Sequence, residues 1–172
     1  MFPKHKYAAY AQYRIATMAD KDFDDWSTAV KEYEVLVDNY PNFKHTIASL
    51  LRMGAIQESK LKERKEAIQT YQRVFSTYPD STDESIEALH RSADLYIKSK
   101  KFEDAVKQHM TVISKYPKTD GSLKSINKCA DIYDKKMDNK EKAIEVLNMV
   151  ITDYPGSRDA KKAQRRIKKL SK

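Results

Sequence analysis

Four histidines, one cysteine and a crowd of aspartates are the residues of this chain whose types could do chemistry. His5, His45, His90 and His109 are scattered, and no two stand at i+3 or i+4, the spacing that brings side chains together on one helix face. They are expected on the surface or in satisfied packing. No Gly-rich phosphate loop, HExxH, CxxC or GxSxG is present. The residues therefore support no enzyme and ask for no cofactor. Cys129 follows Ile126 by three positions and adjoins Ala130, with no partner for redox or metal work, so it reads as a small buried thiol between helices. Asp20, Asp22, Asp24 and Asp25 suggest calcium, but an EF-hand loop needs Gly at its sixth position and Glu at its twelfth. Counted from Asp20, those positions hold Asp25 and Lys31. The acids better suit the start of the next helix, where the backbone dipole favours negative charge.

The elements that position these residues follow from the prolines. Pro3, Pro41, Pro79, Pro117 and Pro155 are each 38 residues apart, and Phe2, Tyr40, Tyr78, Tyr116 and Tyr154 precede them. Twelve residues before each of the last four sits an alanine: Ala29, Ala67, Ala105 and Ala143. A fixed period of this size marks a repeat architecture, in which each unit packs on its neighbours. After each alanine, apolar residues recur at helical spacing, as in Ala29, Val30, Tyr33, Leu36 and Val37. The alanine allows close approach of a paired helix, and Tyr-Pro ends the segment because proline disfavours helical backbone in the residue before it. A first helix in each unit places a small residue at Ala16, Gly54, Ala93 or Ala130. Ser81 with Glu84 has the capping-box pattern, and Ser157 is a candidate N-cap. Helices are expected near 5–20, 25–39, 44–60, 64–77, 82–99, 102–115, 120–136, 140–153 and 158–170.

Composition agrees. Three glycines in 172 residues argue against a turn-rich β protein, and 34% charged residues suit thin helical layers. A single cysteine excludes an internal disulfide framework. No stretch approaches the length of a membrane span, and the opening residues lack the apolar region of a signal peptide. Net charge is +8, of which residues 156–172 supply +7, from eight Lys/Arg and one Asp.

The pattern Ala29-x3-Tyr33…Pro41 and Ala67-x3-Tyr71…Pro79, with Leu89-x2-Ser92-Ala93-x2-Tyr96, resembles tetratricopeptide repeats (TPR). His109 and Leu147 stand where the consensus has its aromatic, and the period exceeds the usual 34. Helices ending in Tyr-Pro, followed by PDS or PGS, are similar to bacterial envelope TPR proteins such as the periplasmic Tol–Pal coordinator and the outer-membrane assembly lipoprotein. The resemblance implies an all-α right-handed superhelix of four helix pairs and a capping helix. It would form one solenoid domain, with repeats at about 4–41, 42–79, 80–117 and 118–155 and the cap at 156–172. It also implies a non-enzymatic scaffold for a peptide or protein in the bacterial envelope or periplasm. The rival reading is a cytoplasmic adaptor whose basic tail meets an acidic partner or nucleic acid.

In such stacks the first helices line a concave groove. Projected here, that exposes Tyr10, Tyr13 and Thr17; Leu51, Ala55 and Glu58; His90, Asp94 and Lys98; and Asn127, Asp131, Asp134 and Lys135. The tyrosines either capture a peptide, offering large area at low entropic cost, or pack against a neighbour. A Lys/Asn clamp for a C-terminal carboxylate is not evident. Lys161, Lys162, Arg165, Arg166, Lys168 and Lys169 cover most of the last helix. They form either a solubilising cap or a contact for an anionic surface. The helix has no aromatics for base stacking, which argues against nucleic acid. Phe2-Pro3 is in phase with each Tyr-Pro, so the chain is expected to be the C-terminal part of a longer array. Residues 5–20 would then offer an open apolar patch for self-association.

Overall fold

The computed structural model describes residues 7–172, so Phe2, Pro3 and His5 lie outside the described residues. Among the described residues there are nine α-helices and no strand. They are α1 (Ala8–Lys21), α2 (Trp26–Asn39), α3 (Thr46–Ile56), α4 (Arg64–Thr77), α5 (Thr82–Lys98), α6 (Phe102–Lys115), α7 (Asp120–Lys136), α8 (Lys140–Asp153) and α9 (Arg158–Leu170). This is the expected all-α class of four helix pairs and a terminal helix. One stretch departs from the expectation. Residues 44–60 do not form one α-helix, because from Gln57 to Leu61 the backbone widens into a π-helical segment. The wider turn holds Gln57 inside, where its Oε1 accepts from the Thr70 hydroxyl at 2.7 Å.

The period is written into the backbone as well as the side chains. Within the pairs, Asp24, Lys62, Lys100 and Asp138 all take positive φ, between 49° and 62°, and stand 38 residues apart. Side chains with a Cβ rarely adopt this conformation, so its recurrence shows that the turn geometry dictates it. Tyr40, Tyr78, Tyr116 and Tyr154 cap the second helices with ψ 53–59°, outside the helical region that a following proline disfavours. Tyr78 and Tyr154 also tie turn to turn. The Tyr78 hydroxyl donates to Pro41 O at 2.8 Å, and that of Tyr154 to Thr119 O at 3.1 Å. At the N-termini, Ser157 caps α9 through Ala160 N, as its sequence position suggests.

The chain divides inside α5 into two compact units, one ending at Ala88 and the other beginning at Leu89. In the first, Ala29 and Ala67 sit fully buried in the helix seams beside Tyr33, Leu36, Leu50, Met53, Ile56, Tyr71 and Val74. Burial of each large apolar side chain contributes about 1.5–3 kcal/mol. On the surface, Arg73 bridges Glu34 and Asp38 at 2.7 and 2.6 Å. In the second unit, Ala93, Ala105, Ile126, Cys129, Ala130, Leu147, Val150 and Ala163 form the core, and Ile167 and Leu170 of α9 pack against it.

Candidate functional site

In the first unit the first-helix faces gather aromatics. Tyr10 is exposed and Tyr13 half-buried. Tyr13 stacks on His45, ring centroids 4.6 Å apart and planes 16° apart, while Phe43 closes edge-on at 5.2 Å from His45 and 6.1 Å from Tyr13. All three rings are half-exposed. Phe43 and His45 lie in the turn before α3, outside any helical period, so the repeat pattern gave no signal for them. Leu51, Ala55 and Glu58 are half-buried on the same helices' faces, and the Tyr71 hydroxyl reaches Glu58 at 3.4 Å. Thr17 is a correction. It was expected exposed but is buried, its hydroxyl donating back to Arg14 O at 3.0 Å.

The aspartate crowd separates into unlike roles. Asp25 accepts from Thr28 N at 3.0 Å and caps α2, as an acidic helix start should. Asp24 holds the left-handed turn. Asp20, however, ends α1 with its carboxylate fully buried, accepting from Arg52 Nε at 2.7 Å, Arg52 Nη2 at 2.6 Å and the Tyr33 hydroxyl at 3.1 Å. Burial alone would raise its pKa, but Arg52 and Tyr33 outweigh it and hold the carboxyl below the usual range. Burial, with Asp20 beside it, pushes the Tyr33 phenol up. Among the described residues no group of three or more His, Cys, Asp or Glu converges as a metal site needs.

In the second unit Asp94, Lys98, Asn127 and Lys135 are exposed. His90 is a second correction. It turns inward, because its Nε2 pairs with the Ser125 hydroxyl at 2.7 Å, and Ser125 in turn meets His109 Nδ1 at 3.3 Å. The two rings lie 5.4 Å apart. Burial, with Lys124 nearby, lowers the His90 pKa to about 4; burial, with His90 beside it, lowers that of His109 to about 3. Both imidazoles are thus neutral at pH 7. A serine so close to a histidine resembles an activated nucleophile. Ser125 is fully buried, however, so no substrate can reach it. Cys129 is the expected buried thiol, 4.0 Å from Val106 O, and burial pushes its pKa to about 12, which makes it inert.

Asp131 and Asp134 are half-buried and already engaged by the basic tail. Arg166 reaches Asp131 at 3.0 Å and Asp134 at 3.4 Å, while Lys135 holds Asp131 at 3.0 Å. Arg166 therefore belongs to the packing of α9 on α7. Lys161, Lys162, Arg165, Lys168 and Lys169 are exposed.

Comparison with known proteins adds the following. A sequence model described as tetratricopeptide repeat matches residues 10–42, 48–81 and 129–157, more than half of the chain. No curated protein sequence matches it. Among solved structures, a tetratricopeptide repeat protein from Parabacteroides merdae is similar at TM-score 0.62 and 17% identity. That match covers 95% of this chain, which spans only 60% of the length of the other. The MamA protein is similar at TM-score 0.59 and 18% identity, over 97% of this chain and 88% of that one. YrrB, described as a TPR protein with an unusual peptide-binding site, is similar at TM-score 0.54 and 20% identity, over 92% and 75%. At these identities the likeness is one of fold.

Proposed function

The chain belongs to the tetratricopeptide repeat family, and from that premise we propose that it is a non-enzymatic scaffold holding a peptide or protein on the faces of its first helices. One observation carries this reading: Tyr13, Phe43 and His45 form a half-exposed aromatic cluster with Tyr10 exposed on the same helix as Tyr13. Aromatic side chains give large contact area with few rotors to immobilise, and they dominate interface energetics. The peptide-binding site ascribed to YrrB, a protein of this fold, supports a peptide as the occupant. Leu51, Ala55 and Glu58 would line the same unit's face, and Asp94, Lys98, Asn127 and Lys135 that of the other.

The setting we propose is the bacterial cell envelope. The Tyr-Pro helix ends followed by PDS and PGS support it. Among the described residues no helix is long and apolar enough to cross a membrane. We also propose that the exposed side of α1 meets another chain.

Affinity capture compared between the parent and Tyr10→Ala/Tyr13→Ala tests the scaffold. The expected result is one partner retained by the parent and at least tenfold depleted with the variant, at unchanged helicity. Equal recovery from both would overturn the aromatic cluster as the binding site. Fractionation of cells producing the native protein tests the compartment, and recovery only in the cytosol would overturn the envelope setting.

A further inference from the structure

The outer face of α9 carries a single sign of charge. Arg158, Lys161, Lys162, Arg165, Lys168 and Lys169 are all exposed. At 3.6 residues per turn they fall within an arc of about 120° and a length of about 17 Å. Opposite them, Ala160 and Ala163 are buried, and Ile167 and Leu170 pack on the core. Among the described residues only Lys162 of the six has an acidic partner, Asp159 at 2.9 Å. Around this face the second unit is basic as a whole, with 21 Lys/Arg against 11 Asp/Glu in residues 89–172.

A solubilising cap does not require this. Polarity of either sign keeps a terminal helix in water, and α8 does so with Glu141, Lys142, Glu145 and Asn148. On α9 the neighbours at i+3 and i+4 repel instead: Arg158 with Lys161, Lys161 with Arg165, Arg165 with Lys168 and Lys169. A face that tolerates such repulsion suits a surface of opposite charge.

We propose that the outer face of α9 docks the protein on an anionic membrane surface by charge alone, without insertion. Two observations select this partner. A plane can meet every cation of a 120° arc at once. In a duplex groove only the flanks of a helix meet phosphate, so Arg165 and Lys169, inside the arc, would face base edges rather than the charge that a plane offers to all six. Nor does the arc present an aromatic for stacking on single strands. Insertion is excluded by the packing, because the apolar side of α9 is committed to the core of its own unit. Clusters of four to eight Lys/Arg on an amphipathic helix suit acidic headgroups, each worth roughly 1 kcal/mol near the surface. This inference does not depend on the aromatic cluster or its peptide.

The test is co-sedimentation with phosphatidylcholine vesicles containing phosphatidylglycerol, against vesicles of phosphatidylcholine alone. Binding is expected only to the anionic vesicles. It should vanish as salt rises from about 0.1 to about 1 M, which shortens the screening length from ~10 to ~3 Å. Lys161→Gln/Arg165→Gln/Lys168→Gln/Lys169→Gln should weaken binding about fivefold per cation removed, several-hundredfold in all. Circular dichroism checks the fold of this variant, and replacement of the three lysines by arginine, which keeps the charge, should leave binding intact. On a lipid monolayer, binding should leave the surface pressure unchanged. Equal binding by a folded glutamine variant, equal binding to neutral vesicles, a rise in pressure, or binding to duplex DNA with none to vesicles would each overturn the proposal.

Discussion

Arg52 holds the buried carboxylate of Asp20 from across one repeat, through two hydrogen bonds of 2.6 and 2.7 Å. Removing the guanidinium leaves a buried charge with the Tyr33 hydroxyl and the more distant Lys21 to stabilise it. Arg52→Ala should therefore cost about 3 kcal/mol or more, the penalty of a buried charge that has lost its partner. Asp20→Asn should also be less stable at pH 7, but its deficit should shrink in acid. The folded carboxyl titrates below its ordinary range, so its contribution is present above about pH 4 and is lost as pH falls through the folded value. Urea unfolding of parent and variant at neutral and acidic pH measures this, and a constant gap would count against the ion pair.

That pair shows what the sequence hid and how it could have been found. Three 38-residue periods further on, Asp134 and Arg166 occupy the same positions and meet again, at 3.4 Å. An Asp and an Arg 32 residues apart, repeated in register, is a legible signal once periods are aligned by charge as well as by apolar residues. The helices themselves were readable because the alanine, the apolar stripe and Tyr-Pro are local features. Gln57 and the π-helical segment were not, since the apolar pattern continues past Ile56 and the bond from Thr70 that holds Gln57 inside comes from the next helix. His90 was misplaced because its inward turn depends on Ser125, 35 residues away, and no single-helix pattern contains that partner. The cluster of Tyr13 with Phe43 and His45 was half legible. The tyrosine lies on a predicted face, whereas its two partners lie in a turn.

Gly54 lies directly under the ring of Tyr71. A Cβ at position 54 would stand 2.6 Å from Tyr71 Cε1 and 2.9 Å from Cζ. The ring is fully buried and cannot swing away into solvent. Gly54→Ala gains up to about 1 kcal/mol of helix propensity but forces the ring off its packing, at about 1–3 kcal/mol. The net result should be a lower Tm, by several degrees, with tyrosine near-ultraviolet dichroism altered. A rise in Tm would show that the first unit repacks freely around α3 and α4.

His109 occupies the position at which Tyr33 and Tyr71 pack in the first two repeats. It is almost wholly buried, and its Nε2 has no hydrogen-bond partner in the protein. With folded pKa values of about 4 for His90 and about 3 for His109, against an ordinary 6.5, the unfolded chain takes up protons first as pH falls. Stability should be complete above pH 6.5 and decline towards pH 4, at up to about 1.4 kcal/mol per pH unit for each histidine. His109→Phe restores an aromatic without a polar atom. Chemical denaturation should show it at least as stable as the parent at pH 7, with roughly half the acid slope between pH 6 and 4.5. An unchanged slope would mean that the imidazole at 109 meets water in the folded state.

The first helix presents the one prediction that concerns assembly. Tyr7, Tyr10, Ile15 and Met18 are 40–60% exposed, and Phe23 just beyond α1 is 70% exposed. Tyr7, Met18 and Ile15, with Ala11 between them, follow a helical stripe on the side of α1 turned away from α2, while Gln12 and Ala16 face inward. Exposed apolar and aromatic side chains gathered on one helix face, here around Arg14, commonly meet a partner. At rising concentration the chain is expected to self-associate through this stripe, seen as an increasing weight-average mass in sedimentation equilibrium. Tyr7→Ser/Tyr10→Ser should weaken the association about tenfold or more while leaving the helical dichroism unchanged, since neither side chain is in the core. Met18→Lys, which adds a second cation beside Arg14 on the stripe, should abolish it. A chain that remains monomeric throughout, or one whose association ignores all three substitutions, would show that α1 needs no cover.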